Sequence, residues 1–232
     1  MSLSGKNRAL FSYKHDDRSG SIFQYKNFEK TKSYNSKFMH AKFIGTSLRS
    51  AHMKYCNFDN CLFDQVDFVG SNMRGSSFIG ARFIKCTFVS AVFEKANFKN
   101  ATFENCYWVA TSHANIRNFP EDSEDIMILT SFPSQDTVNP ELLQVIESLR
   151  KNDIIRRSHT LHGKKGKINT ISLLILNQEY TDDELIQLLP KLSQLVTSAS
   201  HRGKLGCSHY GLQAHAVSEV EAIRYNKLRK KK

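Results

Sequence analysis

Every fifth residue from Phe23 to Trp108 is large and apolar, with Ser33 the one exception. Thirteen of these eighteen positions are Phe. A period of five matches neither the roughly 3.6 of a helix nor the roughly 2 of a strand. A second column stands two residues earlier and holds only small or modest side chains: Ser36, Ala41, Thr46, Ala51, Cys56, Cys61, Val66 and so on to Cys106. Two columns in one register describe a square coil. Each five-residue unit forms one side and turns one corner. Its central large residue and the small residue two before it both point inward. Four sides close a turn of twenty residues, and turns stack at about the 4.8 Å spacing of paired strands. The run supplies about four and a half turns, a rod roughly 22 Å long. Each turn leans mainly on its neighbours.

The pattern resembles the pentapeptide-repeat family, whose units read Ala-Asp/Asn-Leu/Phe-X-X. Ala96-Asn97-Phe98 and Ala101-Thr102-Phe103 are close matches, and Cys56-Asn57-Phe58 and Val66-Asp67-Phe68 also fit. The resemblance covers roughly residues 21–110. It implies a right-handed quadrilateral β-helix, and it says little about function, because the shared residues are core residues. One inward column, Ser33, Met53, Met73 and Phe93, collects most departures from Phe and has the most adaptable packing. Lys26 and Ser33 fall on inward positions, which predicts a frayed or capped first turn.

Outward positions carry recognition. Val69, Val89 and Val109 recur on one face, flanked by the small residues Gly70, Ser90 and Ala110. Such an apolar strip is expected to be covered, by the C-terminal half of the chain or by a second copy in a homodimer. Two other faces are basic: Lys42, Arg82 and Lys85 share one, and Lys54, Arg74 and Lys95 share the next. Tyr34, Tyr55 and Tyr107 are the aromatics expected outside the core.

The period ends after Trp108. Residues 119–139 hold an acidic cluster and two of the four Pro, with a third at Pro140, and read as a linker with one short apolar segment, Ile126 to Leu129. Asn139-Pro140-Glu141 is a helix start, and the apolar residues of 142–149 follow on one face. Residues 168–176 fit helix or strand equally. Thr181 and Glu184 frame a capping box. It opens an amphipathic helix that Pro190 is expected to kink or restart. Arg229 to Lys232 close the chain as a basic run. The expected architecture is therefore mainly β, a β-helix followed by a smaller, mostly α-helical region. Its divisions are a cap over 1–20, the repeats over 21–118, the linker over 119–139, helices over 140–200, and a Gly/His-rich loop with a basic terminal helix over 201–232.

The inventory offers little chemistry. Cys56, Cys61, Cys86 and Cys106 lie in the inward small column and read as structural thiols. His201, Cys207, His209 and His215 are weak metal candidates, since their spacing fits no zinc pattern. Gly163 to Lys167 lacks the spacing of a phosphate-binding loop. A packed Phe interior leaves no substrate cavity, so neither enzyme activity nor a cofactor is expected. No apolar run approaches the roughly 20 residues of a membrane span, and the first residues lack the apolar core expected of a secretory signal. The expectation is a cytoplasmic, bacterial protein that does not engage membranes.

Net charge is +11, and residues 21–118 hold 13 Lys and Arg against 6 Asp and Glu. The first reading is a non-enzymatic scaffold that binds an unidentified protein. The second is phosphate-driven, non-specific nucleic-acid binding through the basic surface. The family resemblance also implies a third, since some members mimic duplex DNA and engage type II topoisomerases. That mimicry needs an acidic rod, and this one is basic.

Overall fold

A computed structural model describes residues 11–158, 160–163 and 166–199. The chain forms two compact units, one ending at Ser131 and the other beginning at Phe132. The first is a β-solenoid of about five turns. Its strands are short: β1 (Ile22–Gln24), β2 (Lys32–Tyr34), β3 (Lys42–Ile44), β4 (His52–Lys54), β5 (Leu62–Asp64), β6 (Arg82–Ile84), β7 (Thr87–Val89), β8 (Thr102–Glu104), β9 (Cys106–Val109) and β10 (Ile126–Leu129). All pairings between them are parallel, and partners stand twenty residues apart: Phe23 with Phe43, Phe43 with Phe63, Phe63 with Phe83, Phe83 with Phe103. Single bridges carry the same offset where no strand is long enough to name, as between Asn57 and Ser77.

The corners explain the period. Every fifth residue from His15 to Asn115 has a positive φ. Gly, Asn, Lys, His, Tyr, Ser, Gln and Ala all occupy this position. A left-handed residue strains any side chain but Gly, and the hydrogen bonds from turn to turn hold it there. The residue before the central Phe supplies a second device. Side-chain oxygens of Asn27, Asn57, Asp67, Asn72 and Asn97 each accept the backbone N–H two residues on. This is an Asx turn, and it gives the Asn or Asp of the repeat a local structural reason.

The small column also works by hydrogen bonding. Hydroxyls of Thr46, Ser76 and Thr111 donate to the carbonyls of Phe23, Met53 and Phe88 on the preceding turn, at 2.8–2.9 Å. The thiols of Cys61, Cys86 and Cys106 point the same way, to the carbonyls of Phe38, Phe63 and Phe83. Small size and donor capacity together select Ser, Thr and Cys here. Inside, Phe rings stack along the axis, with Phe43, Phe63 and Phe83 at 4.9–5.0 Å and nearly parallel.

The solenoid differs from the sequence reading at both ends. Ser33 is buried rather than frayed, and its hydroxyl accepts the N–H of Tyr13 at 3.0 Å. The Tyr13 ring, 5.6 Å from Phe38, fills the space that a short Ser leaves. The ladder therefore already runs beneath residue 33, with Lys14 bridged to Tyr34, inside the stretch read as a cap. Lys26 is exposed. At the other end, β10 lies within the stretch read as a linker. It pairs with β9, setting Ile126 against Cys106 and Ile128 against Trp108. Phe119 packs on Trp108 at 4.6 Å and adds a ring to the last turns.

The second unit is helical: α1 (Pro140–Leu149), α2 (Asp153–Ser158), α3 (Thr170–Asn177) and α4 (Asp182–Ala199). Asn139 caps α1 by accepting from the N–H groups of Glu141 and Leu142. Asn169 caps α3, which resolves the ambiguity over 168–176 as a helix. Thr181 and Glu184 form the expected reciprocal box. One helix runs through Pro190 without restarting. This unit has its own core, built on residues such as Leu142, Ile146, Leu161, Leu176, Leu185 and Leu188. Among the described residues, no helix is long and apolar enough to cross a membrane.

Candidate interaction surface

A ladder of outward side chains follows from the twenty-residue register. Residues twenty apart sit on successive turns at about 4.8 Å. Each face of the solenoid is thus a fixed grid, and the chemistry of the face is read down its columns.

The face over Phe23, Phe43, Phe63, Phe83 and Phe103 carries Lys42 and Arg82 two turns apart, with Leu62 between them. Both cations are exposed. Lys85 stands between two acids of the same face, Asp64 and Glu104, and it counters part of the burial that raises the Asp64 carboxyl. Ile22, at 63% exposure, adds an aliphatic side chain. The structure therefore gives this face a mixed character, less basic than the three cations alone suggest.

The face over Tyr13, Ser33, Met53, Met73 and Phe93 is different. Its outward columns bring together the predicted Lys54, Arg74 and Lys95 with Lys14 and Lys32, which the sequence reading did not single out. Arg74 pairs with Glu94 at 3.2 Å, and Glu94 is the one acid in these columns. Tyr34 and Tyr55 lie on this face, 46% and 45% exposed, with ring centroids 5.5 Å apart and edge to face. Tyr107, expected outside the core with them, is buried instead. As part of β9 it stands on a ladder with Thr87.

The valine strip is graded. Val109 is fully buried, Val89 is nearly so, and Val69 is half-buried. Leu129 of β10 is the registered neighbour of Val109. Beside Val69, Asp67 accepts from Arg49 at 2.8 Å, a partly shielded ion pair on the same face.

The four thiols are buried and free. Burial pushes Cys56 up to about 11 and Cys61 up to about 12, and it raises Cys86 well above the ordinary thiol range. A thiol held protonated is a poor nucleophile and a poor metal ligand. His201, Cys207, His209 and His215 lie outside the described residues. Within the described residues, no three His, Cys, Asp or Glu side chains converge on a metal site.

Two descriptions of the pentapeptide-repeat family match the chain, one of 8 copies over residues 41–78 and one of 9 copies over residues 68–112. Residues 41–112 are pentapeptide repeats. Solved structures similar to the chain are themselves pentapeptide-repeat proteins. Rfr23 of the cyanobacterium Cyanothece 51142 is 13% identical with a TM-score of 0.24, over 51% of this chain and 89% of its own. HetL of Nostoc sp. strain PCC 7120, involved in heterocyst differentiation regulation, is 10% identical with a TM-score of 0.22, over 46% of this chain and 50% of its own. QnrB1, a plasmid-mediated fluoroquinolone resistance protein, is 14% identical with a TM-score of 0.26, over 53% and 70%. At these values the likenesses carry nothing about function. No curated protein matches the chain.

Proposed function

We propose that this protein is a non-enzymatic interaction module, in which a right-handed, four-sided rod displays side chains in fixed ladders to a macromolecular partner. The observation that carries this reading is the division of labour along the repeat. Inward positions are filled by stacked Phe rings, nearly all at 0–1% exposure, and leave the interior closed to a substrate. Outward positions differ in chemistry from turn to turn, so those outside the Asx turns are open to binding. Pre-formed ladders lose little conformational freedom when a partner docks, which favours affinity.

The basic face over the methionine column supports a polyanionic surface as the target. Cations aligned on a rigid grid raise both the encounter rate and the discrimination against basic partners. The test is affinity capture from cell lysate with the full chain as bait, before and after nuclease, beside a charge-reversed Lys54→Glu/Lys95→Glu variant. The reading predicts a captured macromolecule that the variant loses while its Trp108 fluorescence stays native. Turnover of a substrate by the purified chain, or capture indifferent to the solenoid surface, sinks it.

A further inference from the structure

We propose that the face over the methionine column binds single-stranded nucleic acid, with the Tyr55 ring as a base-stacking platform between rows of cations. This rests on the interaction-module reading and names its ligand.

The platform is built by the corner geometry. Tyr55 has φ of +57°, one of the left-handed corners. The residue above it in the same corner column is Gly75, also left-handed, at φ +69°. A Cβ at Gly75 would lie 2.5 Å from the Cδ1 and Cε1 atoms of Tyr55, so the ring rests against the Gly75 backbone in space that any other residue would fill. One side of the ring is held by the rod. Tyr34 meets it edge to face, which fixes its tilt. With 45% of Tyr55 still exposed, a ring so held is pre-organised for a flat partner.

Cations flank this ring in columns set by the ladder. Lys54 is registered with Tyr34 across β2 and β4, and Lys14 is bridged to Tyr34 on the other side. Lys32 is registered with His52, and Lys95 occupies the Tyr55 corner column two turns on. Among the described residues, Lys14, Lys32, Lys54 and Lys95 form no ion pair, and Glu94 is committed to Arg74. The combination of a cationic track with an exposed aromatic platform is that of sequence-tolerant single-strand binding. An acidic protein would use the cations but not the ring face. A duplex hides its base faces in the stack and could not use the ring either.

The experiment is a fluorescence-anisotropy titration of the full chain with labelled oligo(dT) over a range of salt. Unlabelled duplex, heparin and polyglutamate serve as competitors. Tyr55→Asn is the main variant, because Asn already fills the same left-handed corner at Asn35 and Asn115. Tyr55→Phe keeps the ring, and Lys54→Gln removes one cation. Trp108 emission reports folding. The expected result is oligo(dT) binding weakened about 5- to 150-fold by Tyr55→Asn, the span of one base–aromatic stack, and kept by Tyr55→Phe. Lys54→Gln should lower the log–log salt slope by about 0.7. Three results overturn the proposal: no oligo(dT) binding, equal affinity of wild type and Tyr55→Asn, or polyglutamate competing as well as oligo(dT). A chain that binds no oligonucleotide but still captures a protein through its solenoid keeps the interaction-module reading and loses only this ligand.

Discussion

At the scale of the residue, the small inward column separates two roles that look alike in the sequence. Ser71 and Ser76 both occupy it and both are buried. Ser76 donates to the Met53 carbonyl and accepts the N–H of Cys56, so it bridges two backbone groups of the preceding turn. The hydroxyl of Ser71 is buried without a partner. Ser76→Ala therefore strands a buried donor and acceptor and is predicted to cost about 1–3 kcal/mol. Ser71→Ala removes an unsatisfied group and is predicted to be neutral or stabilising. Urea unfolding followed by Trp108 measures both, and equal losses would contradict the assignment. Phe63 shows the larger scale of core energetics. It is fully buried and stacks on Phe43 and Phe83. Phe63→Ala is predicted to cost about 3–5 kcal/mol by the same assay, and Phe63→Leu much less. The two inward columns were legible because core volume is a property of each residue type. The left-handed corners were not, because side chains as different as Tyr, Lys and Asn occupy them.

At the scale of the element, β10 shows where the repeat signal failed. The five-residue spacing lapses after Trp108, with His113 and Asn118 on central positions. Only the twenty-residue offset survives, placing Ile126 above Cys106 and Ile128 above Trp108. The strand is thus written in the twenty-residue period and not in the five-residue one. Ile128→Asp puts a charge against that ladder. It is predicted to release β10 and shift Trp108 emission to the red, and unchanged emission would mean that β10 does not cover the last turn.

Helix starts were legible for a different reason, since Asn139 and Thr181 act on donors within three residues of themselves. His162 was not read as special. It is buried in the helical unit, where one ring nitrogen reaches the Ile146 carbonyl at 2.9 Å and the other has no partner. Burial lowers its pKa below 6.5. The nearby Arg150 pushes the same way, while the Ile146 hydrogen bond and Glu147 oppose them. The unfolded chain then binds more protons than the folded one as pH falls below 6.5, so the contribution to stability is whole above that pH and declines beneath it. The helical signal in circular dichroism should melt earlier at pH 5 than at pH 7.5. His162→Gln, which keeps a donor and does not titrate, should remove much of that difference. An unchanged pH dependence in this variant would rule His162 out as the source.

At the scale of the whole molecule, a solenoid whose interior is spent on stability carries a surface whose chemistry differs from turn to turn. Part of the candidate site was visible in the sequence, since Lys54, Arg74 and Lys95 fall in phase. Lys14 is hard to read in the sequence because the run of large central residues sets in only at Phe23, whereas the ladder reaches back beneath it. The platform at Tyr55 was missed because it depends on Gly75, a residue whose contribution is the side chain it lacks. The interaction-module reading requires this face to be rigid before any partner arrives. Amide hydrogen exchange of the free chain tests it most directly. The N–H groups of Tyr34, Asn35, Tyr55 and Lys95 bond to the carbonyls of Tyr13, Lys54, Arg74 and Asn115 on adjacent turns. They are expected to be as protected in the free chain as those of the buried Phe ladder. Exchange at the rate of an open loop, slowed only when a ligand is added, would contradict it.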